Sequence, residues 1–183
     1  MISSQRDLPS EATRSEQDHH FMRLAIEQAR IGLATPGGAH VGCVITRNGE
    51  VVASGFNEVE KRHDPTAHSE LVTIRRLCAD WHVTSLAGCT LYCTLQPCGM
   101  CTVACIWAGV SRIVYGATRN DVHSIYFAER HADTADYLRD AFRSDIELTG
   151  GVLDRECSEL YVKKDEAAPP EADPAHTPTV AAQ

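Results

Sequence analysis

The chain has 183 residues, 43% hydrophobic and 23% charged, with a net charge of −8. That length buries one continuous core, and the composition is that of a globular body that folds without disulfides. No run of about eighteen apolar residues occurs, and the opening MISSQRDLPSEATRSEQ lacks the basic start and apolar stretch of a secretory signal, so a soluble cytoplasmic protein with no membrane partner is expected. The acidic balance counts against nucleic acid as the main partner, though a local basic patch leaves tRNA open.

Residues 1–15 are polar and aperiodic and are expected to form a flexible arm. Residues 17–33 place Phe21, Leu24, Ala25, Gln28 and Ile31 or Gly32 on one helical face. Residues 41–47 and 51–57 are β-rich runs separated by Asn48, Gly49 and Glu50, the strongest short hairpin signal. Asp64-Pro65-Thr66 then opens a capped helix with Leu71, Ile74 and Leu77 or Cys78 in step, which puts His68 and Glu70 in its first turn. A third strand over 89–95 leads to Pro97 at the first position of a helix reaching about Ala108, with Cys98 and Cys101 in its first turn.

Residues 112–117 read as a fourth strand, 121–142 as a mostly helical crossover, 145–149 as a short fifth strand and 152–163 as a closing helix. From Asp165 onward, DEAAPPEADPAHTPTVAAQ carries half of the net charge and little to bury, and is expected to be a disordered acidic tail. The folded domain is therefore 16–164. Its order, α-β-β-α-β-α-β-α-β-α, predicts a mixed five-stranded sheet covered on both faces, a three-layer α/β/α fold.

Eight cysteines without a secretory signal point to free thiols and metal ligands rather than disulfides. His68-Ser69-Glu70 and, thirty residues after the histidine, Pro97-Cys98-Gly99-Met100-Cys101 carry the chemistry. One imidazole and two thiolates suit a catalytic Zn2+ that keeps its fourth position for water. Cysteines three apart on a helix reach one ion, and the positive end of that helix favours thiolate. Zinc makes a nucleophile of water near neutral pH but moves no protons afterwards; Glu70, two residues from the histidine, suits that task. A CxxC alone is more often a redox pair or half of a structural zinc site, which Cys105 or Cys93 could complete, than a catalytic site. The added H-x-E and the proline before the first cysteine favour the catalytic reading.

The stretches VGCVITRNGEVVASGFN, RHDPTAHSE, LYCTLQPCGMCTVACIWAGVSRIVYGA and IELTGGVLDRECSEL together resemble the cytidine and deoxycytidylate deaminase superfamily. Within it, they are most similar to the branch with bacterial tRNA adenosine deaminases, guanine deaminases and fungal cytosine deaminases. The resemblance implies a cytidine deaminase-like fold, His68, Cys98 and Cys101 as zinc ligands, Glu70 as proton shuttle, Asn57 as a hydrogen-bonding partner of the substrate base, and a homodimer. It also places a pocket wall near Tyr126 and Phe127, of which Phe127 is the candidate for stacking on a planar ring.

Three positions depart from the branch. Ser69 stands where alanine is usual and is expected to be harmless. Gln96 replaces a glutamate and removes a charge beside the metal. His40, where proline is frequent, is a candidate substrate contact at the pocket rim. Trp107 is expected in the core, and Cys43, Cys78, Cys89 and Cys157 as buried small hydrophobes. Three functions follow: a deaminase of a free amino-purine or amino-pyrimidine, as base or nucleoside; a tRNA adenosine deaminase acting at the anticodon wobble position; and a non-catalytic zinc-stabilised interaction module, against which Glu70 argues.

Overall fold

A computed structural model describes residues 11–127 and 132–167. Helix α1 (Glu11–Ala34) starts earlier than its apolar pattern suggests, so residues 11–15, expected in the arm, are helical. Strands β1 (Ala39–Arg47) and β2 (Glu50–Asn57) form the hairpin. Asn48 (φ 54°) and Gly49 (φ 81°) both take positive φ, the backbone that a two-residue type I′ loop demands. The one-turn helix α2 (Val59–Arg62), absent from the sequence-based prediction, follows directly.

Helix α3 (Ser69–Trp81) begins later than Asp64-Pro65-Thr66 suggested. Asp64 instead accepts hydrogen bonds from the Thr66 amide (2.8 Å) and hydroxyl (2.7 Å); the expected helix cap is an Asx turn. Strand β3 (Cys89–Leu95) leads into α4 (Gly99–Ala108), and β4 (Arg112–Ala117) follows. Pro97 precedes α4 by two residues rather than opening it.

The helical crossover expected over 121–142 is mostly absent among the described residues, which hold only a 3₁₀ turn (Ser124–Tyr126) and α5 (Thr134–Asp140). Strand β5 is Glu147–Thr149, and the closing helix α6 shortens to Asp154–Ser158. Beyond α6 the chain is drawn back onto the 3₁₀ turn, where the His123 amide donates to the Val162 carbonyl (2.9 Å); that pairing ends the helix. The expected arm before residue 11 and tail after residue 167 lie outside the described residues.

The sheet order is β2-β1-β3-β4-β5, with β1 antiparallel to β2 and β3, and β3, β4 and β5 parallel. Helices cover both faces. A Cβ on Gly42 would lie 2.0 Å from the Ala25 carbonyl of α1, whereas one on Gly55 would lie 2.7 Å from the Thr73 hydroxyl of α3. Gly42 pairs with Phe56, so Gly55 points to the opposite face. This is the expected three-layer arrangement, built on a core that includes Met22, Ile45, Leu77, Leu91 and Ile113.

Asp18 of α1 and Arg112 of β4 form a buried bidentate pair at 2.6 and 2.7 Å. The pair is joined by the Tyr92 hydroxyl on Asp18 (2.9 Å) and by Glu147 and Thr149 of β5, each 3.0 Å from the guanidinium. It locks the first helix to the parallel half of the sheet. No described helix is long and apolar enough to cross a membrane.

Candidate functional site

His68 and Cys98 are the N-cap residues of α3 and α4, both with extended backbone and neither capping with its side chain. The capping role usually filled by serine, threonine or aspartate is forgone, and both side chains turn toward each other. His68 Nδ1 lies 3.7 Å from Cys98 Sγ and 3.6 Å from Cys101 Sγ. Tetrahedral zinc with ordinary Zn–N and Zn–S bonds separates a nitrogen from a sulfur by about 3.6 Å, so the three side chains fit that ion. They are the one metal-competent group among the described residues. Cys105 and Cys93 do not join it, which leaves a three-ligand, open set.

The two thiols are electrostatically unequal. The hydrogen bond from Cys101, and then His68 alongside, push the Cys98 thiol down to about 4. Burial pushes Cys101 well up, so Cys98 is the first of the pair to give up its proton. Burial opposes a charged His68, but the hydrogen bond and charge of Cys98, with the charge of Glu70, outweigh it and raise the imidazole. All eight cysteines are free thiols; of the four expected in the core, Cys78 alone is half-buried.

A cavity of about 30 Å³ opens beside this cluster, lined by Val41, Asn57, His68, Glu70, Leu95, Gln96, Cys98, Tyr126 and Phe127. It brings Asn57 from the end of β2, Glu70 from α3 and Phe127 from the 3₁₀ turn onto one space, as their sequence positions suggested. Glu70 is 3% exposed, and one carboxylate oxygen accepts a 2.8 Å hydrogen bond from Ser69 Oγ. Ser69, expected to be a passive replacement, therefore holds the acid beside it. Asn57 Oδ1 accepts from the Val59 amide (3.0 Å), so this asparagine shapes the turn after β2 while it lines the cavity. Arg119 lies over the Phe127 ring, 5.2 Å from its centre.

Two expectations fail. His40 does not reach the cavity: it is buried behind it, edge-on to Tyr126 (5.6 Å) and Tyr161 (5.2 Å), and its Nε2 has no hydrogen-bond partner. Trp107 is 85% exposed rather than in the core. Helix α4 is apolar nearly all round, and its inward stripe is Cys101, Thr102, Cys105 and Ala108; Trp107 and Val103, one turn apart, share the opposite side. Sequence reasoning also missed Val41 and Leu95 as lining residues, because apolar strand residues give no sign of which of them meets a cavity.

The profile of the cytidine and deoxycytidylate deaminase zinc-binding region matches residues 15–117. The tRNA-specific adenosine deaminase of Buchnera aphidicola subsp. Baizongia pistaciae is 34% identical over 145 residues, 79% of this chain and 86% of that protein. The guanine deaminase of Bacillus subtilis is 36% identical over 101 residues, 55% of this chain and 65% of that protein. The match to the tRNA-specific adenosine deaminase of Aquifex aeolicus, 34% identical over 98 residues and 54% of this chain, also spans just under two thirds of that protein, 64%. A solved structure from work on A-to-I editing by tRNA:A34 deaminases at the wobble position superposes with a TM-score of 0.65 and 29% identity, covering 77% of this chain and 98% of its own.

Proposed function

The chain belongs to the cytidine and deoxycytidylate deaminase zinc-binding family, and on that premise we propose that this zinc-dependent deaminase acts on an amino-purine or amino-pyrimidine taken as a free base or nucleoside. His68, Cys98 and Cys101 hold the metal. Zinc supplies a Lewis acid and makes water a nucleophile near neutral pH. Glu70, kept in place by Ser69, would take one proton from water and pass it to the ring nitrogen, then take the second from the hydroxyl added to the ring and pass it to the amine, which leaves as ammonia. Asn57 orients the ring, and Phe127 stacks on it. The cavity has room for a water or two, so the ring enters by displacing the Tyr126–Phe127 wall.

This reading is carried by the ion pairing of eight of the fifteen described lysines and arginines. Arg14, Arg23, Lys61, Arg62, Arg75, Arg112, Arg139 and Arg143 each face a carboxylate in an ion pair. A cation already paired within the protein has little to exchange with a phosphate, and polynucleotide binding draws on that exchange. The second reading, tRNA adenosine deamination, is supported by the near full-length match to the Buchnera enzyme. The test is ammonia release by the zinc-loaded protein from adenine, guanine, cytosine and their nucleosides, beside inosine formation in a tRNA anticodon stem. Turnover of a free heterocycle supports the first reading; inertness on all of them, with inosine formed in the tRNA, replaces it with the second.

The homodimer implied by kinship belongs to the same proposal. The apolar face between α3 and α4, with Leu71, Ile74, Met100, Val103 and the exposed Trp107, is the surface we assign to the second copy.

A further inference from the structure

We propose that Gln96 and Asp133 are a matched hydrogen-bonded pair that positions the cysteine turn and the pocket wall together, which makes Gln96 a positioning residue whose amide cannot be exchanged for a carboxylate. The inference rests on the deaminase reading for what the pocket binds. Gln96 is 4% exposed and sits between the end of β3 and Pro97-Cys98. Its backbone amide donates to the Ala117 carbonyl at 2.8 Å. Its side chain joins two further segments: Oε1 accepts from the Arg119 amide at 3.1 Å, and Nε2 donates to Asp133 Oδ2 at 2.9 Å.

Each end of that bridge leads to the site. Arg119 lies over Phe127, so the Oε1 bond fixes the segment whose side chain backs the wall. Asp133 caps α5 through its other oxygen, which accepts from the Ala135 amide at 2.9 Å, and the next residue, Thr134, donates from Oγ1 to the Pro97 carbonyl at 3.0 Å. Helix α5 thus grips the peptide immediately before Cys98 at two points, the Gln96 side chain and the Pro97 carbonyl.

The polarity of the amide is dictated by its neighbours. A backbone N–H demands the oxygen on one side, so the NH₂ faces the carboxylate on the other. Gln96→Glu would keep the Arg119 bond but set two carboxylates against each other, and the hydroxyl beside them, Thr134 Oγ1 at 3.4 Å from the Gln96 nitrogen, already donates to the Pro97 carbonyl. Adding Asp133→Asn to that change would restore a complete set, since the new asparagine amide donates to the new carboxylate while its oxygen still caps α5.

The experiment compares Gln96→Glu, Asp133→Asn and the double variant by two readouts on the zinc-loaded proteins: the rate at which a chelator withdraws zinc, and the kcat and KM for whichever heterocycle the parent deaminates. Gln96→Glu is expected to lose zinc about tenfold faster and to raise KM about tenfold, with its thermal midpoint close to the parent's. The double variant returns to within about twofold of the parent in both, as a repaired pair should. A double variant no better than Gln96→Glu, or a Gln96→Glu protein with parental zinc loss and KM, overturns the proposal. So does a lowered midpoint with KM unchanged, which makes the pair a stability element only. If the parent deaminates none of the heterocycles, the proposed substrate class fails, while the zinc-withdrawal cycle still decides on the pair.

Discussion

Replacing His40 by phenylalanine should change how stability depends on pH. His40 is 6% exposed and packed edge-on between Tyr126 and Tyr161, and burial lowers its imidazole from 6.5 to about 4. The folded protein therefore keeps His40 neutral at pH values where the unfolded chain already binds a proton. Stability is unaffected above 6.5, falls as pH drops from 6.5 toward about 4, and levels off below that. At 1.36 kcal/mol per pH unit the full loss is about 3 kcal/mol. His40→Phe removes the titrating group, keeps an aromatic ring against both tyrosines, and removes the unpaired Nε2, whose burial costs about 1–3 kcal/mol at any pH. Urea midpoints of parent and variant, measured at matched zinc from pH 7.5 to 4.5, should separate progressively. The variant gains on the parent by about 2.5 kcal/mol over that range. A gap that stays constant with pH would refute the burial argument, because it would leave a packing difference and no titration.

Asp18→Ala leaves the Arg112 guanidinium without the bidentate partner it has at 2.6 and 2.7 Å, and should lower unfolding free energy by about 3–5 kcal/mol, read by chemical denaturation. Ser69→Ala removes the donor to Glu70 and should lower kcat about tenfold with KM little changed; an unaltered kcat means the serine is passive after all. Trp107→Glu places a charge on the apolar α3–α4 face and should shift the protein from dimer to monomer in sedimentation equilibrium, and a parent that is already monomeric disposes of the dimer.

The hairpin and the zinc cluster were legible because each is written in a few adjacent residues. Asn48-Gly49 imposes its turn by backbone conformation alone, and Cys98 and Cys101, three apart at a helix start, converge whatever the rest of the chain does. His68 needed only a second helix start. What was illegible depends on partners far along the chain or on which way a residue faces. Asp18 meets Arg112 across 94 positions and Gln96 meets Asp133 across 37, and nothing local in either sequence marks the pairing. The side of α4 that holds Trp107 is as apolar as the side that is buried, so periodicity gave no direction. His40 was read as a rim residue from its place just before the first strand, where proline is frequent in the branch, but its position is set by Tyr126 and Tyr161, which arrive from the crossover and the C-terminal segment.

The proposed deamination requires that Glu70 move protons at a zinc held by His68, Cys98 and Cys101. The most direct measurement is ammonia release by Glu70→Gln and parent protein at equal, verified zinc content. Full zinc occupancy in the variant is expected, with turnover reduced by about 10²- to 10⁴-fold. A variant that keeps its zinc and deaminates at the parental rate would contradict that role of Glu70.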